Sequence, residues 1–380
     1  MSIVNQELSR KSFLKITAGA IAGAAFLNVP HLTFAAAQNI KSARFSNLPD
    51  AVDAAKSSEL VQNSYGKIKE FVNKIQNGRL HSMTMAVIDK PMPTFLSLYS
   101  TPGSKTAVYN TLVSKQLIDP QKTSLKNFLP PFNAQQLPQP FYSAPGSGYG
   151  SHHAYPGGLA THTAANLCIS DGIYHTYKNL FQSEISYDII IAAQALHDLA
   201  KPLVFQWQND QASLPEYTIA GTGAHHIFSI AEVIYRNFPI EEIVAQACAH
   251  ATPGGAADEK LVVGWLQTAA IIAGKDAEAL GLVTPEQTIP MPQKQEGYIV
   301  SLGDHDFVLS GPACQKSVKI LQTIAAKDYG MNAAQLNGQE FNRFRNYMGA
   351  QVSMMYLDSL ASQPNGMEQI RSLVQKTIVK

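Results

Sequence analysis

The residues with most chemical potential are an adjacent pair, His197–Asp198, inside the stretch ALHDLAKP (195–202). Two metal-capable side chains side by side in an apolar helical segment are costly unless something pairs with them. Four further stretches offer partners at core-facing helical positions. His162 shares a face with Leu159, Ala165 and Ile169. In GAHHIFSIAEVIY (223–235) the helical period selects between two histidines. His226 aligns with Ile230 and Val233, whereas His225 aligns with Ser229, Glu232 and Arg236, so His226 is predicted to face inward. His250 lies in line with Ile243 and Ala247, and Asp276 with Ala269, Ile272 and Ala273. Four imidazoles and two carboxylates suit a transition metal. They are too rich in nitrogen for calcium and lack the thiolates of structural zinc. Six side chains also exceed the needs of one tetrahedral ion. The expectation is two divalent ions, drawn from Mn, Fe, Zn or Mg, bridged by Asp198. One centre would use His162, His197, Asp198 and Asp276; the other would use Asp198, His226 and His250.

Successive candidates are separated by about one helix plus one connection, so each can project inward from a different helix of one bundle. Helices are predicted at about 158–178, 186–200, 223–237, 240–251 and 260–279. Breakers divide them at Pro202, Pro215 to Gly223, Pro239 and Pro253-Gly254-Gly255. The fold class is all-α, a helical bundle over residues 151–280 with helical flanks at 38–150 and 281–380. The first flank carries helical spacing around 59–75 and 107–117, and a Pro- and Gly-rich loop at 130–150. The second begins with a connection over 281–312 containing a short strand at 297–302, followed by helices near 313–328, 337–361 and 366–379. His305–Asp306, in GDHDF (303–307), lacks an apolar helical frame and is not assigned as a metal ligand.

A formal charge of +1 over 380 residues gives no argument for a nucleic-acid or membrane-surface partner. The cysteines, Cys168, Cys248 and Cys314, have no CxxC spacing, which argues against a disulfide framework or zinc ribbon. At the N-terminus, SRKSFLK (9–15) precedes an apolar run from Ile16 to Val29 and then TFAAAQ. A basic segment, a short apolar segment and small residues predict a signal peptide over residues 1–37 and an exported, periplasmic protein. The segment resembles a twin-arginine signal with Lys11 at the second arginine; a Sec route and an uncleaved anchor are the alternatives.

The ordered set His162, His197–Asp198, His226, His250 and Asp276 resembles the HD-domain superfamily of metal-dependent phosphohydrolases. HHAYPGGLATHT (152–163) is similar to the HHxYxGGLLEHT opening of its exoribonuclease-like and relaxase-associated branch, ALHDLAKP to LLHDIGKP, and GAHHI to LGHI. The resemblance covers about residues 150–280. Ala160-Thr161 departs from the usual Leu-Glu before the first histidine, and Ala-Thr-Pro-Gly-Gly follows His250. The resemblance implies hydrolysis of a small-molecule phosphomonoester or phosphodiester, nucleotides among them, and places His152 and His153 at the site as phosphate contacts or acid. Two adjacent ions can activate a bridging water and hold a phosphoryl oxygen. Asp198 and Lys201 are the catalytic candidates. Lys201 lies near the His197–Asp198 face, where an ammonium can hold a phosphate. Gly157-Gly158 opens a helix whose free amides favour anions. Two other readings remain: a mixed-valent di-iron oxygenase of the same superfamily, and a non-catalytic helical binding protein.

Overall fold

The computed structural model describes residues 39–130, 138–291 and 293–380; the signal-like segment 1–37 lies outside the described residues. Residues 38–380 form one compact unit. The architecture is all-α, with sheet limited to two-stranded pairs: Ala43–Arg44 parallel to Ile378–Val379, and the hairpin Thr218–Ile219 with Thr222–Gly223. No helix among the described residues is long and apolar enough to cross a membrane.

The centre of the bundle is the helix Gly158–Phe181. It packs between Glu59–Val72 and Tyr187–Leu196 and also meets Gln293–Gly303. Ile240–Ala247 lies against Tyr187–Leu196 and Gln293–Gly303, and Ala224–Tyr235 against Ala256–Ile272. Local sequence explains several boundaries. Ser58 and Ser186 cap their helices by accepting the amides of Val61 and Ile189. Gly157 starts the central helix at φ 84°, and a Cβ there would lie 2.2 Å from Val61 Cγ2, so only glycine allows this approach.

A second apolar core gathers Phe341, Phe344, Met348, Leu357 and Ile370 from the C-terminal helices. It also contains Ala154 and Tyr155, from the segment just before the central helix. The C-terminal region therefore holds the loop that carries His152 and His153.

Three predicted elements differ. The segment expected as a strand at 297–302 is the helix Gln293–Gly303. Its glycines permit close helix packing. A Cβ on Gly297 would lie 2.5 Å from Cys248 Sγ, and one on Gly303 would lie 2.0 Å from Ser170 Oγ. The helix expected over 337–361 breaks at Ser353, whose φ of 64° ends Gln339–Val352 and whose side chain caps Met354–Ala361. The helix expected over 260–279 ends at Ile272, and Gly274 turns the chain at φ 69°.

Two outcomes test this packing. Gly303→Ala is expected to destabilise the fold by about 1–3 kcal/mol in urea unfolding. Gly172→Ala, in open space on the exposed face of the central helix, is expected to stabilise it by about 0.5–1 kcal/mol. Glu242 gives a pH test. Its carboxyl is buried without a hydrogen-bond partner, and burial raises its pKa to about 8. The folded state therefore keeps a proton that the unfolded state releases. Stability is expected to fall as pH rises from about 4.5 to about 8 and then level off. Glu242→Gln should remove that slope in unfolding measured across this range.

Candidate metal centre

His197 and Asp198 occupy the turn between Tyr187–Leu196 and the short helix Lys201–Val204. The Ala200 amide donates to Ser229 Oγ at 3.1 Å, and that hydroxyl donates to the His225 carbonyl at 2.7 Å. This ties the turn to helix Ala224–Tyr235. Asp198 is 1% exposed, and five donor groups surround it. Its Oδ2 lies 3.3 Å from His162 Nε2, 3.2 Å from His197 Nε2 and 2.5 Å from Lys201 Nζ. Its Oδ1 lies 3.2 Å from His225 Nε2 and 3.8 Å from His250 Nε2. Neither oxygen has a partner with hydrogen-bond geometry, and His225 Nε2 is likewise unpartnered.

A second carboxylate faces Asp198. Asp304, in the turn between Gln293–Gly303 and Phe307–Tyr329, brings Oδ1 to 3.0 Å from His162 Nε2 and 3.2 Å from His197 Nε2. Its Oδ2 is 3.6 Å from His250 Nε2. Asn166, one turn after His162, donates to Asp304 Oδ1 at 2.9 Å. The imidazoles have outer partners that set their orientation. His197 Nδ1 meets the Gln194 carbonyl at 2.8 Å, which leaves Nε2 as the inward atom. His225 Nδ1 contacts Glu216 Oε1, which also accepts the His225 amide at 3.0 Å.

Electrostatics follow from this packing. Burial opposes ionisation of Asp198 and Asp304, but the surrounding imidazoles, with Lys201 beside Asp198, hold both well below the usual carboxylate range. Burial alone would lower the pKa of His197, yet Asp198 and Asp304 raise it to about 9. His250 is lowered to about 4 by burial. The carboxylates thus retain protons on nearby imidazoles, and a bound cation would displace such protons.

Among the described residues, donor atoms converge within 4.8 Å in three groups: His162 with His197 and Asp304, Asp198 with His225 and His250, and His153 with His162 and Asp306. Imidazole nitrogen, carboxylate oxygen and orphaned buried atoms on Asp198 and His225 fit divalent transition metals.

The predicted residues fare differently. His162, His197, Asp198 and His250 come together as expected. Asp276 does not join them. It is exposed, accepts the Ala279 amide at 2.8 Å, and lines a cavity of about 230 Å³ with Lys115 and Gln267. The helical period was extrapolated past Ile272, where Gly274 redirects the chain. Asp304 occupies the place expected of Asp276. His226 is buried, as the helical period requires, its Nδ1 has no hydrogen-bond partner, and it is not among the donor groups that converge around the carboxylates. Its Nε2 meets the Ala247 carbonyl at 3.2 Å, and its ring stacks on His250 at 4.1 Å. Residues 224–234 are all buried, so the apolar-face criterion could not separate His226 from His225.

Lys201 is buried and paired with Asp198 and the Gly146 carbonyl. Gly158 does not present a free anion-binding amide. The amides of Gly157, Gly158 and Leu159 donate to the carbonyls of Ser143, Tyr155 and Ala144. The need for glycine at 158 is steric, since a Cβ would lie 1.8 Å from the His153 carbonyl oxygen. The His152 ring lies 5.0 Å from that of His162. His153 Nε2 meets Asp306 Oδ2 at 2.7 Å. Against the expectation that His305–Asp306 stands apart from the ligands, Asp306 Oδ1 is 2.9 Å from His162 Nδ1. GDHDF was the available signal for Asp304 and Asp306; no sequence signal pointed to Glu216.

Over 99 residues the chain is 32% identical to the dihydroneopterin 2′,3′-cyclic phosphate phosphodiesterase of Methanocaldococcus jannaschii, a match covering 26% of this chain and 39% of that protein. The chain thus spans well under half of that relative's length. It matches no family model and no solved structure. The partial likeness and the His/carboxylate cluster are compatible with the HD-domain resemblance.

The placements separate two pairs of variants. In metal titrations, Asp304→Ala and His225→Ala are expected to lower affinity at least tenfold, whereas Asp276→Ala leaves it unchanged. His226→Ala is expected to act chiefly on stability, costing about 2–4 kcal/mol through the cavity it leaves beside His250 and Trp265.

Proposed function

We propose that the chain is a metal-dependent phosphohydrolase for a small phosphoester, with a phosphodiester as the preferred substrate class. The observation that carries this reading is the buried Asp198 carboxylate, ion-paired with Lys201 on Oδ2 and ringed by His162, His197, His225 and His250. Asp304 supplies the opposing carboxylate. In this reading one ion is held by His162, His197, Asp198 and Asp304, and the other by Asp198, His225 and His250. Bound metal supplies Lewis acidity and a water of lowered pKa. The phosphodiesterase named for the partial relative supports the choice of a phosphodiester.

The chain's own residues have separable tasks. Asp198 lies between both donor groups and joins them. Lys201, buried and paired with Asp198 Oδ2 and the Gly146 carbonyl, keeps Asp198 ionised and fixed. His250 is the more accessible ring of the cluster, its side chain 20% exposed, and marks the approach for substrate. His152, beside His162 with Nδ1 buried and unpartnered, provides a further polar contact.

The test is a panel of 2′,3′-cyclic nucleotides, linear phosphodiesters and phosphomonoesters incubated with protein loaded with Mn, Fe, Zn or Mg. Metal-dependent hydrolysis of a phosphodiester is expected, with Asp198→Ala lowering kcat at least a thousandfold while the chain stays folded. Iron-dependent oxygen uptake on an organic substrate, with no ester cleaved under any metal, would overturn the proposal.

A further inference from the structure

We propose that Asp306 is a positioning carboxylate that orients His162 for metal binding, and that a hydrogen-bonded chain through His153, Tyr155 and Thr161 holds Asp306 in place. The inference rests on the metal-centre reading above and concerns a residue outside both proposed ligand sets. His162 uses its two nitrogens on opposite sides. Nε2 faces Asp304 and Asp198 at 3.0 and 3.3 Å, while Nδ1 faces Asp306 Oδ1 at 2.9 Å. An unprotonated Nδ1 would set its lone pair against a carboxylate oxygen at that distance. Asp306 therefore holds the ring by an ion-pair contact at Nδ1, outside hydrogen-bond alignment, with Nε2 turned to the cation site. Carboxylates behind metal-bound imidazoles fix ring orientation and raise ligand basicity.

The second oxygen of Asp306 is anchored independently. Oδ2 meets His153 Nε2 at 2.7 Å. His153 Nδ1 meets Tyr155 Oη at 3.1 Å, and Tyr155 Oη meets Thr161 Oγ1 at 2.8 Å. Thr161 Oγ1 lies 3.0 Å from the Gly158 carbonyl, in the helix that carries His162. The chain thus closes a loop from His162 through Asp306 and back to the first turn of the same helix.

The backbone around this loop is locked. His153 sits at φ 46°, a left-handed conformation that needs its surroundings to hold it. Its carbonyl accepts the Gly146 amide at 2.9 Å and lies against Gly158, where no Cβ fits. From the other side, Arg345 donates to the Ala154 carbonyl, and Gly349 makes room for Tyr155: a Cβ there would lie 2.5 Å from Tyr155 Cβ. His153 and Tyr155 are thus fixed before any ion arrives, which is what preorganisation of an outer partner requires.

A third ion among His153, His162 and Asp306 would make a different prediction, because it would take both nitrogens of His162. The test measures cobalt(II) affinity, stoichiometry and visible spectrum for wild type, Asp306→Asn, Asp306→Ala and Tyr155→Phe, with the metal-free Tm as a folding control. Asp306→Asn is expected to bind cobalt about 10- to 100-fold more weakly at unchanged stoichiometry, with an altered ligand-field spectrum. Asp306→Ala should lose more, and Tyr155→Phe should weaken binding a few-fold in the same direction. If the Asp306 variants fail to fold, Tyr155→Phe decides: wild-type affinity and spectrum overturn the proposal. Wild-type cobalt binding by a folded Asp306→Asn overturns it too, as does loss of one whole ion with the others unaffected. A wild-type protein that binds no metal overturns the metal-centre reading itself.

Discussion

A carboxylate removed from water must be compensated, and Asp198 is the clearest case in this chain. It is almost fully buried and is held ionised by its neighbours, Lys201 at 2.5 Å from Oδ2 and the imidazoles around it. Leaving such a charge unpaired costs several kcal/mol. Different segments each bring a compensating group: His162 from the central helix, His197 from the adjacent turn, Lys201 from the short helix after it, His225 from Ala224–Tyr235 and His250 from the turn after Ile240–Ala247. These groups converge on one point because the backbone between them is tied, through Ser229 to the Ala200 amide and through Asn166 to Asp304.

The C-terminal third completes what the central bundle begins. Gln293–Gly303 approaches the central helices closely because Gly297 and Gly303 have no side chains. That approach delivers Asp304 to the imidazoles and, two residues later, Asp306 to the back of His162. The following helices build a second core that encloses Ala154 and Tyr155 and so holds the loop bearing His153. Packing far from the donor atoms therefore determines where two carboxylates and one histidine point.

Much of the fold was legible because helical periodicity is strong wherever one face is buried. The all-α class and the helices carrying His162 and His226 followed from apolar spacing and from Pro and Gly breakers, whereas the helix expected over 240–251 ends at Ala247 and leaves His250 in the turn beyond it. The misassignments have specific causes. Helical phase carries no information beyond a turn, so Asp276 was aligned with a helix that stops at Ile272. Phase also fails where every face is buried, which is why His226 was chosen over His225. Asp304 and Asp306 lie in a turn, where periodicity gives no signal. Their contribution depends on contacts between segments more than a hundred residues apart, and sequence spacing within one segment does not encode those contacts.

The central claim is that Asp198 joins two cation sites, one of them completed by Asp304. The most direct measurement is a crystal structure of metal-loaded protein with anomalous diffraction collected at the absorption edge of the bound metal. The account predicts anomalous peaks contacted by Asp198, one shared with His162, His197 and Asp304 and the other with His225 and His250. A metal-saturated crystal with no peak at Asp198, or with peaks ligated by Asp276 or His226 instead, would contradict it.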